Sequence, residues 1–334
     1  MPEMSEPMIT LRGLSKQFSQ KQDIVARLVT KMGLSRPPAV VRAVDGVDLE
    51  VRKGEVVGLV GESGCGKSTL GRMVAGILKP SGGTIEFRGR DVQAMSQRDR
   101  DRVNLSVQMI FQDPYASLNP RMRVSQIVGE APRVHRIASG DLEAYVCEKL
   151  RQSGLDPALR SRFPHQFSGG QRQRIGIARA LAVQPDFIVC DEAVAALDVS
   201  IQAQILNLFM DLQERFNLTY LFISHDLGVV QHVADRVAIM YLGRLIEEAP
   251  KRELFAQPNH PYTQALLREI PRIDARHREY HTIKGELPTP LAPPSGCHFH
   301  PRCPFAMPRC SEEAPKLREI APGRRSACHL NDAA

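Results

Sequence analysis

The chain has 334 residues, 43% hydrophobic and 24% charged, enough apolar material for a buried core and too apolar for a disordered chain. Its net charge of +7 is spread through mixed-sign stretches such as Arg98-Asp99-Arg100-Asp101-Arg102, and no basic run carries interleaved aromatics, so no nucleic-acid partner is expected. No apolar run reaches membrane-spanning length, and Met1-Pro2-Glu3-Met4-Ser5 does not open as a signal peptide, so the expectation is a cytosolic protein that meets a membrane only through partners.

Residues 8–18 read as an opening strand and turn, and residues 19–39, polar and ending in Arg36-Pro37-Pro38-Ala39, as a loop or short insertion. Phe18 stands where a ring can stack on a purine, with ordinary core packing as the alternative. Val40 to Val51 alternates as a strand and leads into Val56 to Val60, a short β-branched run. The next residues, Gly61-Glu62-Ser63-Gly64-Cys65-Gly66-Lys67-Ser68, fit G-x-x-x-x-G-K-[ST]. From Thr69 onward, Leu70, Met73, Val74, Ile77 and Leu78 have helical apolar spacing. This strand–loop–helix setting marks residues 61–69 as a nucleotide site. Glycines without Cβ atoms let backbone N–H groups turn inward on phosphate oxygens, and the following helix adds its positive end. Lys67 supplies a point charge to the phosphates, and the Ser68 hydroxyl can ligate Mg²⁺.

Residues 79–92 read as turn, strand, turn, and Val107 to Gln112 as a buried strand ending before the breaker Asp113-Pro114. Residues 121–160 lean helical, with Pro132, Gly140 and Pro157 as punctuation, so a helical subdomain is expected over about 113–168. Phe167-Ser168-Gly169-Gly170-Gln171 opens a helix from Arg172 to Ala182, with Ser168 as its N-cap. Asp186 to Asp191 is a buried strand ending in Asp191-Glu192. Ile201 to Phe216 is an amphipathic helix, Tyr220 to Ser224 a buried strand followed by His225, and Val237 to Ile246 the last strand or two. The alternation implies an α/β fold with a mainly parallel, covered sheet.

From about Pro250 the composition changes. Residues 251–270 read helical, broken at Pro258 and Pro261, and residues 287–304, with six prolines, as irregular. Of seven cysteines, Cys65, Cys147 and Cys190 are scattered, while Cys297, Cys303, Cys310 and Cys328 crowd into this tail as C-x5-C-x6-C-x17-C. In a cytosolic protein that crowding favours metal over disulfides.

Taken in order, Gly61–Ser68, Gln112, Ser168–Gln171, Asp191-Glu192, Asp198 and His225 resemble the nucleotide-binding subunit of an ATP-binding cassette (ABC) transporter over roughly residues 8–250. The resemblance implies a P-loop ABC cassette in residues 1–250, with a parallel-sheet core, antiparallel N-terminal strands and a helical subdomain. A small irregular Cys/Pro-rich extension follows over 251–334. It also implies ATP hydrolysis. Ser68, Gln112 and Asp191 would hold Mg²⁺, and Glu192 would act as general base on the attacking water. His225 would contact the γ-phosphate, and the Gln112 loop would transmit movement to membrane subunits. Ser168, Gly169, Gly170 and Gln171 would bind the γ-phosphate of ATP held by an opposing cassette, and Asp198 would communicate across that interface. Two positions depart from the pattern: Ala193 stands where Pro usually follows the glutamate, and Phe167 where Leu is commoner.

The tail narrows the resemblance. His260-Pro261-Tyr262-Thr263, Gly296-Cys297-x-Phe299-x-x-Arg302-Cys303-Pro304, Phe111-Gln112-Asp113-Pro114-Tyr115 and Tyr241-Leu242-Gly243-Arg244 are similar to the dipeptide/oligopeptide (peptide/nickel) importer subfamily. That implies peripheral attachment to the cytoplasmic face of the cell membrane. The implied partners are two transmembrane permease subunits, a second cassette (identical or different) and an extracytoplasmic peptide-binding protein. A nickel or metal-chelate importer and a non-hydrolysing regulatory cassette are the alternatives. A soluble ABC ATPase of DNA repair or translation would need a coiled-coil insertion or a second cassette, which the sequence lacks. Four thiolates on an irregular loop suit a [4Fe–4S] cluster, which some members of the subfamily resemble in having. A mixed Zn²⁺ site with His298, His300 or His329, or plain thiols, are the alternatives.

Overall fold

The computed structural model describes residues 6–19, 39–269, 285–286 and 288–332. The loop expected over 19–39 lies outside the described residues except for its two ends. Twelve strands are described. They are β1 (Pro7–Ser19), β2 (Val40–Arg52), β3 (Val56–Val60), β4 (Gly82–Phe87), β5 (Arg90–Asp91), β6 (Val107–Ile110), β7 (Phe187–Asp191), β8 (Thr219–Ser224), β9 (Arg236–Tyr241), β10 (Arg244–Pro250), β11 (Arg318–Ala321) and β12 (Arg324–Ser326). The smaller sheet runs β2-β1-β4-β5 and is antiparallel. The larger runs β11-β12-β10-β9-β3-β8-β7-β6, parallel from β9 to β6 and antiparallel beyond β9.

The β-branched runs suit a pleated surface covered on both sides, and alternation along β3 shows the two faces. Val57 and Leu59 pack with Leu70 and Met73 of α1 (Lys67–Val74) and with β1 and β2. Val56 and Val60 face the other way, into a cluster with Ile177 of α5 (Gly169–Leu181), Ile205 and Phe209 of α6 (Val199–Phe216) and Val230 of α7 (Leu227–Val233). A third cluster joins α3 (Val124–Val134) and α4 (Leu142–Gln152) to Ile175 and Ala178 of α5, forming the helical subdomain. Among the described residues no helix is long and apolar enough to cross a membrane.

Several local expectations are corrected. The helix after the phosphate loop stops at Val74: Gly76 is left-handed (φ +71°) and Ile77 is 56% exposed, so the apolar spacing continued past the helix end. Pro132 lies inside α3 instead of ending it, two residues before the end at Val134, and what it removes is its own N–H bond to the carbonyl of Val128. Helix α2 (Gln97–Ser106) was not foreseen because it buries no residue. Ser96 accepting from the Asp99 N–H, and Gln97 bonding Asp101 one turn on, support it. Helix α7 is too short for periodicity and is fixed by Asp226, whose side chain accepts from the N–H groups of Gly228 and Val229.

The largest correction concerns the tail. Strand β12 pairs with β10 through Glu247↔Ser326 and Glu248↔Arg325, so the extension continues the cassette sheet. Tyr241, Leu254 of α8 (Lys251–Ala256), Tyr262 and Leu267 of α9 (Pro261–Arg268) and Phe299 share one buried cluster. Among the described residues of the tail, irregular backbone remains in stretches such as 288–299. The polar β11 and β12 carry no alternation from which a strand can be read.

Candidate active site

Strand β3 delivers the phosphate loop and α1 leaves it, as the motif requires. The loop's tightness depends on missing side chains. A Cβ at Gly61 would lie 2.1 Å from the Met240 carbonyl oxygen, and one at Gly66 (φ +108°) 2.0 Å from that of Ala43. Gly66 caps α1 without a side-chain hydrogen bond, and no acidic residue occupies the first turn, which leaves that turn suited to an anion. The buried Lys67 ammonium lies beneath the loop and donates to the carbonyls of Gly61 (2.7 Å) and Glu62 (2.9 Å).

The parallel register brings the acidic groups together. Ser68 Oγ donates to Asp191 Oδ1 at 2.8 Å, joining α1 to the end of β7. Burial pushes the Asp191 carboxyl pKa up, and the Ser68 hydrogen bond opposes that shift. Gln112 Nε2 donates to Glu192 Oε2 at 2.7 Å, and His225 Nδ1 lies 3.4 Å from Glu192 Oε1. Glu192 is thus gripped from both sides, with its side chain 13% exposed against 55% for His225. Its backbone is left-handed (φ +48°), a cost that a non-glycine residue bears only where its surroundings impose it. A cleft of about 670 Å³ opens beside this group, with Gln112, Asp113, Arg179 and Asp191 in its wall. The hard oxygen donors of Ser68, Gln112 and Asp191 suit Mg²⁺.

The other expected residues lie around this centre or on the surface. Phe18, at the end of β1, is 43% exposed, with the Lys16 ammonium 5.3 Å from its ring centroid. Ser168 and Gln171 form a capping box at the start of α5: Ser168 Oγ accepts the Gln171 N–H (3.3 Å), and Gln171 Oε1 accepts the Ser168 N–H (3.1 Å). Gly170 lets α5 approach its neighbour, since a Cβ there would lie 2.4 Å from Ile201 Cγ2 of α6. Exposed Asp198 is the N-cap of α6 and makes no side-chain capping bond.

Cys297, Cys303, Cys310 and Cys328 line one small pocket with His260, Phe299, His300 and His329, and its free space of about 10 Å³ is that of roughly one water. Burial raises the thiol pKa of Cys297 and Cys303 and pushes that of Cys328 up to about 11. Among the described residues no group of three or more His, Cys, Asp or Glu side chains is placed to hold a metal ion as it stands. The donor set is four soft sulfurs, and the histidines fit less well. His298 bonds the Leu242 carbonyl and lines a different pocket. Both ring nitrogens of His329 are engaged, by Glu313 and Asp332.

Two functional contacts had no sequence reading beyond membership of motifs. Tyr262 and Arg302 both bond Glu62 in the phosphate loop. Tyr262 stood only in the His260–Thr263 pattern and Arg302 only in the Gly296–Pro304 pattern, and neither pattern pointed to Glu62.

A family profile described as "ABC transporter" matches residues 44–195, and one described as "Oligopeptide/dipeptide transporter, C-terminal region" matches residues 246–310. The oligopeptide transport ATP-binding protein AppF of Bacillus subtilis (strain 168) is 49% identical over 330 residues, 97% of this chain and 98% of that protein. The putative oligopeptide transport ATP-binding protein YkfD of the same organism is 52% identical over 295 residues, 87% of this chain and 90% of its own length. Among solved structures, cbiO1 from Clostridium perfringens, part of the ABC transporter complex cbiONQ, superposes with a TM-score of 0.61 at 26% identity, covering 76% of this chain and 92% of that one.

Proposed function

The chain belongs to the ABC transporter family of ATP-hydrolysing cassettes, and from that premise we propose that it powers import of di- or oligopeptides through a membrane transporter. The observation that carries this reading is the grip on Glu192 by Gln112 and His225 beside the Ser68–Asp191 pair. The peptide assignment rests on the match of residues 246–310 and on relatives named as oligopeptide transport proteins.

In this mechanism the phosphate-loop N–H groups and Lys67 bind the triphosphate, Thr69 lies in the first turn of α1, and Phe18 stacks on the base. Ser68, Asp191 and Gln112 would hold Mg²⁺, which when bound would neutralise phosphate charge. Glu192 takes a proton from the attacking water as the water oxygen bonds to γ-phosphorus and the bond to the β–γ bridging oxygen breaks, releasing ADP. Gln112 and His225 fix the Glu192 carboxylate, and His225 reaches the γ-phosphate. Ser168, Gly169, Gly170 and Gln171 close on ATP held by an opposing cassette, with Asp198 at the seam. That closure drives two permease subunits, fed by an extracytoplasmic binding protein, from the cytoplasmic face of the membrane.

The four tail thiols are proposed to hold a [4Fe–4S] cluster, which would require them to move apart from a pocket with room for roughly one water and would then staple residues 297–328. The chain's own part is four cysteines lining one small pocket with Phe299 and Phe305.

The test is ATP turnover by the assembled transporter in lipid vesicles, with peptide uptake followed in parallel. Turnover stimulated by peptide-loaded binding protein supports the reading. An assembled wild-type transporter that hydrolyses no ATP overturns it.

A further inference from the structure

The His260-Pro261-Tyr262-Thr263 segment and Arg302 of the proline-rich stretch converge on one phosphate-loop residue. Tyr262 Oη accepts the Glu62 backbone N–H at 3.0 Å. Arg302 Nη1 donates to both Glu62 carboxylate oxygens at 3.1 Å and to Tyr241 Oη at 3.3 Å. The Arg302 side chain is only 7% exposed, so it is a desolvated partner and not a surface ion pair.

This contact is built from several directions. The rings of Tyr241, Tyr262 and Phe299 pack edge to face, with centroids 4.7, 5.4 and 5.3 Å apart. Glu247 accepts the N–H groups of Asn259 and His260, each at 2.8 Å, and His260 Nδ1 accepts the Tyr262 N–H at 3.1 Å. The start of α9 is therefore fixed, and Pro261 at its first position needs no partner for a missing N–H. The motif's residue types follow: histidine caps, proline starts the helix, and tyrosine reaches the loop.

We propose that Arg302 and Tyr262 are positioning residues of the nucleotide site, holding Glu62 so that the phosphate loop keeps its anion-binding shape. Two physical effects combine. Glu62 contributes one of the two carbonyls that Lys67 bonds, so moving its backbone moves part of the lysine's anchor. Its carboxylate, left without Arg302, would face incoming phosphates as an uncompensated like charge in a partly buried setting. The C-terminal extension thereby becomes part of the ATP site. This inference rests on the ATP-binding reading above.

The experiment is equilibrium binding of N-methylanthraniloyl-ATP with Mg²⁺ to the full-length chain, with melting temperature measured on every variant. Arg302→Met should weaken binding roughly tenfold, since one partner of a partly buried charge pair is lost. Adding Glu62→Gln to Arg302→Met should restore most of that loss, because the charge needing compensation is gone. Arg302→Lys should retain intermediate affinity, and Tyr262→Phe, which keeps the ring but loses the acceptor, should weaken binding several-fold. KM for ATP should rise in these variants more than kcat falls. The proposal is overturned if folded Arg302→Met binds as tightly as wild type, or if Glu62→Gln brings no recovery. If Arg302→Met does not fold, Arg302→Lys and Tyr262→Phe decide the matter by the same binding measurement. A wild-type chain that binds no MgATP would instead remove the reading on which the inference stands.

Discussion

Gln112 donates to Glu192 across 2.7 Å, latching the chain just beyond β6 to the chain just beyond β7. The parallel register causes this: Ile110 pairs with Cys190, so the residue two positions on in each strand emerges at the same level. A segment bordering an open cleft is thus coupled directly to the carboxylate beside Ser68 and Asp191, so displacement of Gln112 is felt by Glu192.

Replacing that carboxylate should separate binding from turnover. Glu192→Gln removes the proton acceptor but keeps the shape, so ATP hydrolysis should fall by about 10² to 10⁴. Nucleotide affinity should stay within about threefold of wild type. Turnover kinetics alongside equilibrium binding check this, and unchanged turnover would remove Glu192 from the chemistry.

The close approach of α5 to α6 predicts a steric pair. Gly170→Ala places a Cβ against Ile201 Cγ2 and should cost roughly 1–3 kcal/mol in urea unfolding, with loss of ATPase activity. Ile201→Ala in the same chain should recover much of the stability. Additive losses in the double variant would show that the two sites do not touch.

For the thiol pocket, protein purified anaerobically should contain about four irons and four sulfides per chain and absorb in the visible, and Cys303→Ser should abolish both. Stoichiometric zinc would replace the cluster with a zinc staple. Neither metal would leave four ordinary thiols.

Acid should destabilise the fold through two buried histidines. Burial lowers the pKa of His260 to about 3 and that of His298 to about 4, whereas an unfolded histidine titrates near pH 6.5. The folded state disfavours the charged form. This stability is therefore fully present above about pH 6.5 and is lost as pH falls toward 3–4. Melting temperature should drop from pH 7 to about pH 5, and His260→Asn, which keeps a capping acceptor for the Tyr262 N–H, should flatten the slope. Parallel slopes for the two proteins would remove His260 as a cause.

The local chemistry of the site was legible in residues. Gly61–Ser68, Ser168–Gln171 and Asp191-Glu192 each combine a backbone conformation with side-chain types that few other arrangements need. Apolar strands such as Phe187–Asp191 and Thr219–Ser224 announce a covered parallel sheet by hydrophobicity alone. Short or wholly polar elements announce nothing by that route, as α2 and the β11–β12 hairpin show.

The sequence by itself determined the family and the class of sheet, and it supplied the candidate nucleotide site, because those depend on spacing along one stretch of chain. Tertiary structure alone decided that the tail completes the sheet through β12 and that Tyr262 and Arg302 reach Glu62. Those contacts join residues 200 and 240 positions apart. No local periodicity encodes them; they exist because one buried aromatic cluster, Tyr241, Tyr262 and Phe299, draws the extension onto the cassette.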